Sequence, residues 1–175
     1  SPNEESGETA HSLDFAGRIE SLIGNFANGL KLPETAASVD GTLVDGYTDL
    51  VVDRRPIGGV LSDGAEFLFR LVEIETVEGG RLVATGPIIL HPDGLISGTI
   101  TVGADNVASL AKWATQIDPQ FGGALSGIAP ALITMGQRRQ LGGKSISTIS
   151  VQINKGRARV GFFQLGEIPP IVFSR

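Results

Sequence analysis

The chain has no cysteine in 175 residues. Disulfides, thiolate zinc centres and a cysteine nucleophile are therefore excluded. The compartment is not fixed by this, since domains of either redox environment can lack the residue. Aromatic platforms are scarce, with one Trp and one Tyr. Charge is scarce too: Asp, Glu, Lys and Arg make up 19%, below the roughly 25% of an average globular chain. Apolar faces then need a core or a partner. The net charge of −5 argues against nucleic acid, whose phosphates need clustered positive charge. It also argues against docking on anionic lipid by charge alone. No apolar run approaches the roughly 18 residues of a membrane span. The chain opens Ser1-Pro2-Asn3 with neither Met nor a signal-like stretch. We read this as the continuation of a preceding segment.

Catalytic motifs are missing as well. There is no GxSxG, no SxxK with a remote KTG, no GxGxxG between a strand and a helix, and no Walker loop. Gly142-Gly143-Lys144-Ser145 ends like one, but Arg138 stands where the upstream glycine belongs. Two histidines, His11 and His91, have no ligand partner at metal spacing. The Asp-Gly pairs stand singly, without the dense spacing of a calcium loop. Neither a metal nor a cofactor is expected.

What is abundant is turn chemistry. Asp-Gly or Gly-Gly pairs at 40–41, 45–46, 63–64, 79–80, 93–94 and 142–143 punctuate short apolar segments. In 81–102, two β-prone runs flank His91-Pro92-Asp93-Gly94, which predicts a hairpin because Gly accepts positive φ without steric cost. The same pattern recurs in 146–163 around Asn154-Lys155-Gly156. There Ala158, Val160 and Phe162 are expected on one face and Arg157 and Arg159 on the other. Residues 66–77 read as the longest strand, with Phe67, Phe69 and Leu71 on one face and Leu68, Val72 and Ile74 on the other. Residues 39–53 read as a strand pair turning at Asp45-Gly46, with Leu43, Tyr47, Leu50 and Val52 as contacts. Residues 11–33 read as a strand followed by an irregular or short helical segment. The prolines at 169 and 170 place the C-terminal tail at an edge or off the sheet.

After Val102 the apolar period changes to 3.6. Asp105 or Asn106 caps a helix with Val107, Leu110, Ala111, Ala114 and Ile117 as its stripe and Trp113 at its border. A second helix carries Phe121, Leu125, Ile128, Leu132 and Met135, with a kink or break near Pro130. The predicted fold is α+β: a mostly antiparallel, twisted or curved sheet of hairpins with a helical insert over about 105–140 packed on it. Residues 1–10 form a polar lead-in and 11–175 one domain.

Candidate site residues follow from the insert. Trp113, Phe121, Leu125, Ile128, Leu132 and Met135 either fill the core or line a groove for an apolar ligand. Arg138, Arg139 and Lys144 either complement a helix C-terminus or contact a headgroup or acidic partner. The carboxylates Asp45, Asp49 and Asp53, and Glu73, Glu75 and Glu78, are solvated faces, or a hydrolase pair if two flank a cleft.

RLVATGPIILHPDGLISGTITVGADNVASLAKW (81–113) resembles the strand, DG turn, strand and short helix unit of AsmA-like envelope proteins. STISVQINKGRARVGFFQLGEIPPIVF (147–173) resembles the close of a domain-of-unknown-function family of Gram-negative envelope proteins. The resemblance implies a periplasmic domain anchored to the inner membrane through a segment outside this sequence, and a role with lipid. It carries over no catalytic residue. Three readings stand: a non-catalytic envelope domain binding lipid or another apolar ligand, a protein-interaction or scaffold module of the envelope, and a carboxylate hydrolase.

Overall fold

A computed structural model of the chain describes residues 12–25, 31–46, 48–117, 119–141, 143–168 and 170–171. Five long strands come first: β1 (Leu13–Asn25), β2 (Lys31–Leu43), β3 (Ala65–Thr76), β4 (Arg81–Leu90) and β5 (Ile96–Asp105). Each pairs antiparallel with the next. A π-helical turn (Thr48–Val52) and the short helix α1 (Ile57–Ser62) join β2 to β3. Helices α2 (Val107–Ile117) and α3 (Pro119–Met135) follow β5. The chain then returns as β6 (Gln137–Leu141), β7 (Lys144–Asn154), β8 (Arg157–Val160) and β9 (Phe163–Glu167). β7 pairs β5, and its other side is shared by β6 and β8. The result is one open antiparallel sheet of nine strands, running from β1 at one edge to β9 at the other.

Both expected hairpins form. In the first, His91 and Leu95 close the turn backbone to backbone at 2.8 Å, and Asp93 Oδ1 accepts the Leu95 amide. Gly94 sits at φ +79°, and a Cβ there would lie 2.4 Å from the Ile171 carbonyl oxygen. In the second, Lys155 and Gly156 both adopt positive φ, the geometry that matches strand twist. The tail leaves the ladder and clamps these two turns: Ile168 N–H donates to Gly156 O and Ile171 N–H to Gly94 O. Asn106 precedes α2, its Oδ1 reaching the Ser109 amide at 3.4 Å.

Several expectations are corrected. Residues 13–25 are strand throughout and β2 starts at Lys31, so the described part of 11–33 holds no helical segment. Asp40-Gly41 lies inside β2 rather than at a turn. Only 39–43 of the supposed strand pair is strand; Leu50 sits in the π-turn and Val52 is exposed, while Tyr47 lies outside the described residues. β3 is shorter than β1 and β2. A bulge in β3 between Phe69 and Val72 resets the alternation. Val39 opposes Val72 while Gly41 opposes Phe69, so Phe67 and Phe69 share a face with Val72 and Ile74. Helical structure ends at Met135, so Arg138 and Arg139 lie on a strand rather than at a helix terminus. α3 runs unbroken through Pro130, whose position is exposed. Phe162 lies in the β8–β9 turn and is fully exposed, not beside Val160.

Most of the core lies between one sheet face and the two long helices, while Val83 and Ile146 are buried on the reverse face. Val102, Ile149, Val151, Ile153, Ala158 and Val160 meet Leu132 of α3. Leu110, Trp113, Ala114 and Leu125 form a second cluster, to which Leu82 and Ala104 of the sheet are common. Leu110 is wholly buried, a burial that contributes on the order of 1.5–3 kcal/mol.

Candidate functional site

β1, β2 and β3 form a two-faced ribbon. One face is ionic. Arg70 projects from the β3 bulge and donates to Asp40 Oδ1, Asp14 Oδ1 and Thr42 Oγ1, tying three strands together. Thr42 Oγ1 also donates to Asp14, and these two partners hold the Asp14 carboxyl below its ordinary pKa. The hydrogen bonds to Asp40 and Asp14 raise that of Arg70. Further along the same face, buried Arg81 pairs with Glu73, and with Glu75 at 3.5 Å.

The other face is apolar. By register, Phe15, Val39, Phe67, Phe69, Val72 and Ile74 stand on it together. Phe67 and Phe69 stack with centroids 5.6 Å apart, and Phe15 meets both edge-on at 6.2 and 6.1 Å, a favoured arrangement. Gly41 lies beneath them: a Cβ would come within 2.9 Å of Phe15 Cζ and 3.3 Å of Phe69 Cδ1. The glycine inside β2 thus makes room for the rings.

The described helices reach the two ends of this face and leave its middle. α2 contacts the end where Trp113 Nε1 donates to Thr35 Oγ1 at 2.8 Å, and Thr35 Oγ1 donates to Pro33 O. α1 packs at the other end, where Val60 is buried. Between them Phe15, Val39, Phe67, Phe69 and Val72 are only half-buried. An apolar sheet face of this kind normally meets a second layer. No described element provides one here.

The residues singled out in the sequence lie elsewhere. Trp113, Leu125 and Leu132 are buried in the helix–sheet core. Met135 is exposed at the end of α3, and the side chains of Phe121 and Ile128 lie outside the described residues. Arg138 and Arg139 are exposed on β6. Lys144, at the start of β7, borders a hollow of about 180 Å³ with Arg18, Glu73, Glu75 and Arg81. Of the carboxylates singled out in the sequence, only Glu73 and Glu75 meet, in that hollow. Asp49 pairs with Arg55 at 2.9 Å, Glu78 with Lys112 at 2.7 Å, Glu73 and Glu75 share Arg81, and Asp45 and Asp53 are exposed. His91 Nε2 is hydrogen-bonded to Ser97 Oγ at 2.8 Å, and His11 lies outside the described residues. Among the described residues no three His, Asp or Glu are grouped to hold a metal ion.

The hollows that described residues line are open grooves rather than a tunnel. Two of them, about 580 and 720 Å³, flank α3 and β8 with mixed polar and apolar walls. No helix is long and apolar enough to cross a membrane, among the described residues. The apolar platform of β1–β3 was missed in the sequence because the bulge hides it. A strict alternation assigns Phe67 and Phe69 to the face opposite Val72 and Ile74. The signal that could have found it is Gly41, a glycine in a β-prone run.

Residues 1–169 match the model of a family described as an uncharacterised protein conserved in bacteria (DUF2125). The chain belongs to that family. No curated protein and no solved structure matches it.

Proposed function

With membership of this uncharacterised bacterial family as the premise, we propose that the domain is a non-catalytic module of the cell envelope. It binds the acyl part of a lipid, or another elongated apolar ligand, on the open apolar face of β1–β3. One observation carries the reading: an apolar, aromatic-lined sheet face stays half-buried between α1 and α2, while its reverse carries the ion pairs of Arg70 and Arg81. Apolar side chains left half in water gain about 25 cal/mol for each Å² a ligand covers. A single acyl chain laid along the Phe15–Phe67–Phe69 cluster fits this geometry as a second layer. The resemblance of 81–113 and 147–173 to AsmA-like envelope proteins supports the location outside the cytoplasm and the lipid class.

Displacement of a fluorescent fatty acid by unlabelled fatty acid or phospholipid tests this. Saturable binding, lost in Phe69→Glu and weakened in Phe15→Ser while both variants keep a cooperative thermal transition, is the expected outcome. Absence of binding by the folded wild-type chain contradicts it. A scaffold role draws on a different observation, the open sheet with strand edges at β1 and β9, which can pair with another chain. Light scattering distinguishes the two, since a scaffold of this kind associates without added lipid.

A further inference from the structure

The net charge of −5 conceals a segregation. Residues 119–175 contain seven of the 14 Lys and Arg but only one of the 19 acids, Glu167. The structure gathers this basic third at one place. β6 and β8 lie on the far side of β7 from β5, and β9 lies beyond β8, so they form one margin of the sheet. Arg138 and Arg139 project from β6, and Arg157 and Arg159 from β8, all exposed. Lys155 stands in the adjoining turn, also exposed. The opposite margin, β1 to β3, carries Asp14, Asp40, Glu73 and Glu75.

The basic margin also exposes large apolar side chains. Phe162 is fully exposed at the β8–β9 turn, and Phe163 beside it is 67% exposed. α3 contacts β7 and β9, and its sequence from Pro119 to Met135 contains no charged residue. Among its described side chains the exposed positions are Pro119, Gly123, Ser126, Gly127, Pro130, Ile133, Thr134 and Met135, with Ile133 at 85%. A helix that faces water normally carries charge on its outer side. An uncharged outer face, aromatic side chains at a turn tip and a frame of Arg and Lys are together the chemistry of an interfacial membrane contact. The apolar groups enter the acyl boundary, and the cations stay at the level of the phosphates.

We propose that this margin docks by its edge on the surface of an anionic phospholipid bilayer, the Phe162-Phe163 turn at its centre, α3 flanking it on one sheet face and Arg157 and Arg159 on the other. The proposal is independent of ligand binding on β1–β3, which involves the other end of the sheet. It would set the domain edge-on to a membrane, with the acidic margin turned away from the phosphates.

Co-sedimentation with vesicles of phosphatidylcholine, alone or mixed with phosphatidylglycerol, tests it at low and high salt. The chain is expected to pellet only with the anionic vesicles, and to be released by high salt. Arg138→Gln and Arg157→Gln should each weaken binding about fivefold. Phe162→Ser, which leaves the charge untouched, should also weaken it severalfold without shifting the thermal midpoint. Equal pelleting with neutral vesicles, or none with either, overturns the proposal. So does binding that depends on the arginines and ignores Phe162→Ser, which would mark the surface as one for acidic macromolecules. Pelleting without vesicles would instead mark contact with a second copy. Phe69→Glu separates this from the ligand reading: it should abolish fatty-acid uptake and leave vesicle binding intact.

Discussion

The two halves of this sheet are built from the same kind of strand and end differently. β5 and β7 lie under the helix pair, and their inward residues Val102, Ile149 and Val151 are buried, while Leu82 and Ala84 of β4 pack partly buried against the same core. β1, β2 and β3 present equally apolar residues that stay half-exposed. Strand chemistry does not explain the contrast, because both halves alternate apolar and polar positions. The difference is the inserted helix pair, which enters after β5 and covers the strands nearest its own point of entry. Among the described residues the helix pair does not reach across the whole sheet, and the part it leaves is the surface proposed to take a ligand.

The contrast can be broken by cavity formation. Leu110→Ala opens a hole in a fully closed site and should cost about 2–5 kcal/mol, read as a large fall in the urea midpoint. Phe67→Ala, on the open half, should cost clearly less, because its ring already borders solvent. Equal losses would show that the open face is covered in solution. A middle-sized effect comes from the join between the halves. Trp113→Phe removes the donor to Thr35 while keeping most of the ring. It should cost about 1–3 kcal/mol by leaving a buried hydroxyl short of a partner. Hydrogen exchange should then rise at the Thr35 end of β2 more than in β7.

The smallest effect is electrostatic and confined to the open half. The folded-state pKa of Asp14 is lowered, first by Thr42 and then by Arg70. Its contribution to stability is therefore present above the unfolded-state pKa of an aspartate and is lost as pH falls through the lowered value. The carboxyl is exposed, so the change is small. Asp14→Asn should lower stability slightly at neutral pH and leave it unchanged in strong acid, so that the acid limb flattens. An unchanged acid limb would remove the Arg70 network from the account of how β1 is held.

The legible part of the fold was the part governed by local rules. The turns at Asp93-Gly94 and Lys155-Gly156 and the two helices of the insert follow from residues that dictate their own conformation. The illegible part depended on pairing between distant strands. Nothing local to Phe69 or Val72 announces a bulge, which arises where Arg70 leaves the ladder to meet Asp40 and Asp14 from two other strands. That one irregularity turns the Phe67–Phe69 pair onto the apolar face. The residues chosen from the helical stripe, Leu125 and Leu132, were visible as apolar, but whether a stripe is core or groove depends on what lies opposite. Here it is the sheet.

The most direct measurement is amide relaxation with a nitroxide-labelled fatty acid bound to the isotopically labelled chain. Ligand on the open platform predicts broadening at Phe15, Val39, Phe69 and Val72, with Leu110, Leu125 and Ile149 unaffected. Broadening centred on α2, α3 and β7, or none anywhere at saturating ligand, would contradict it.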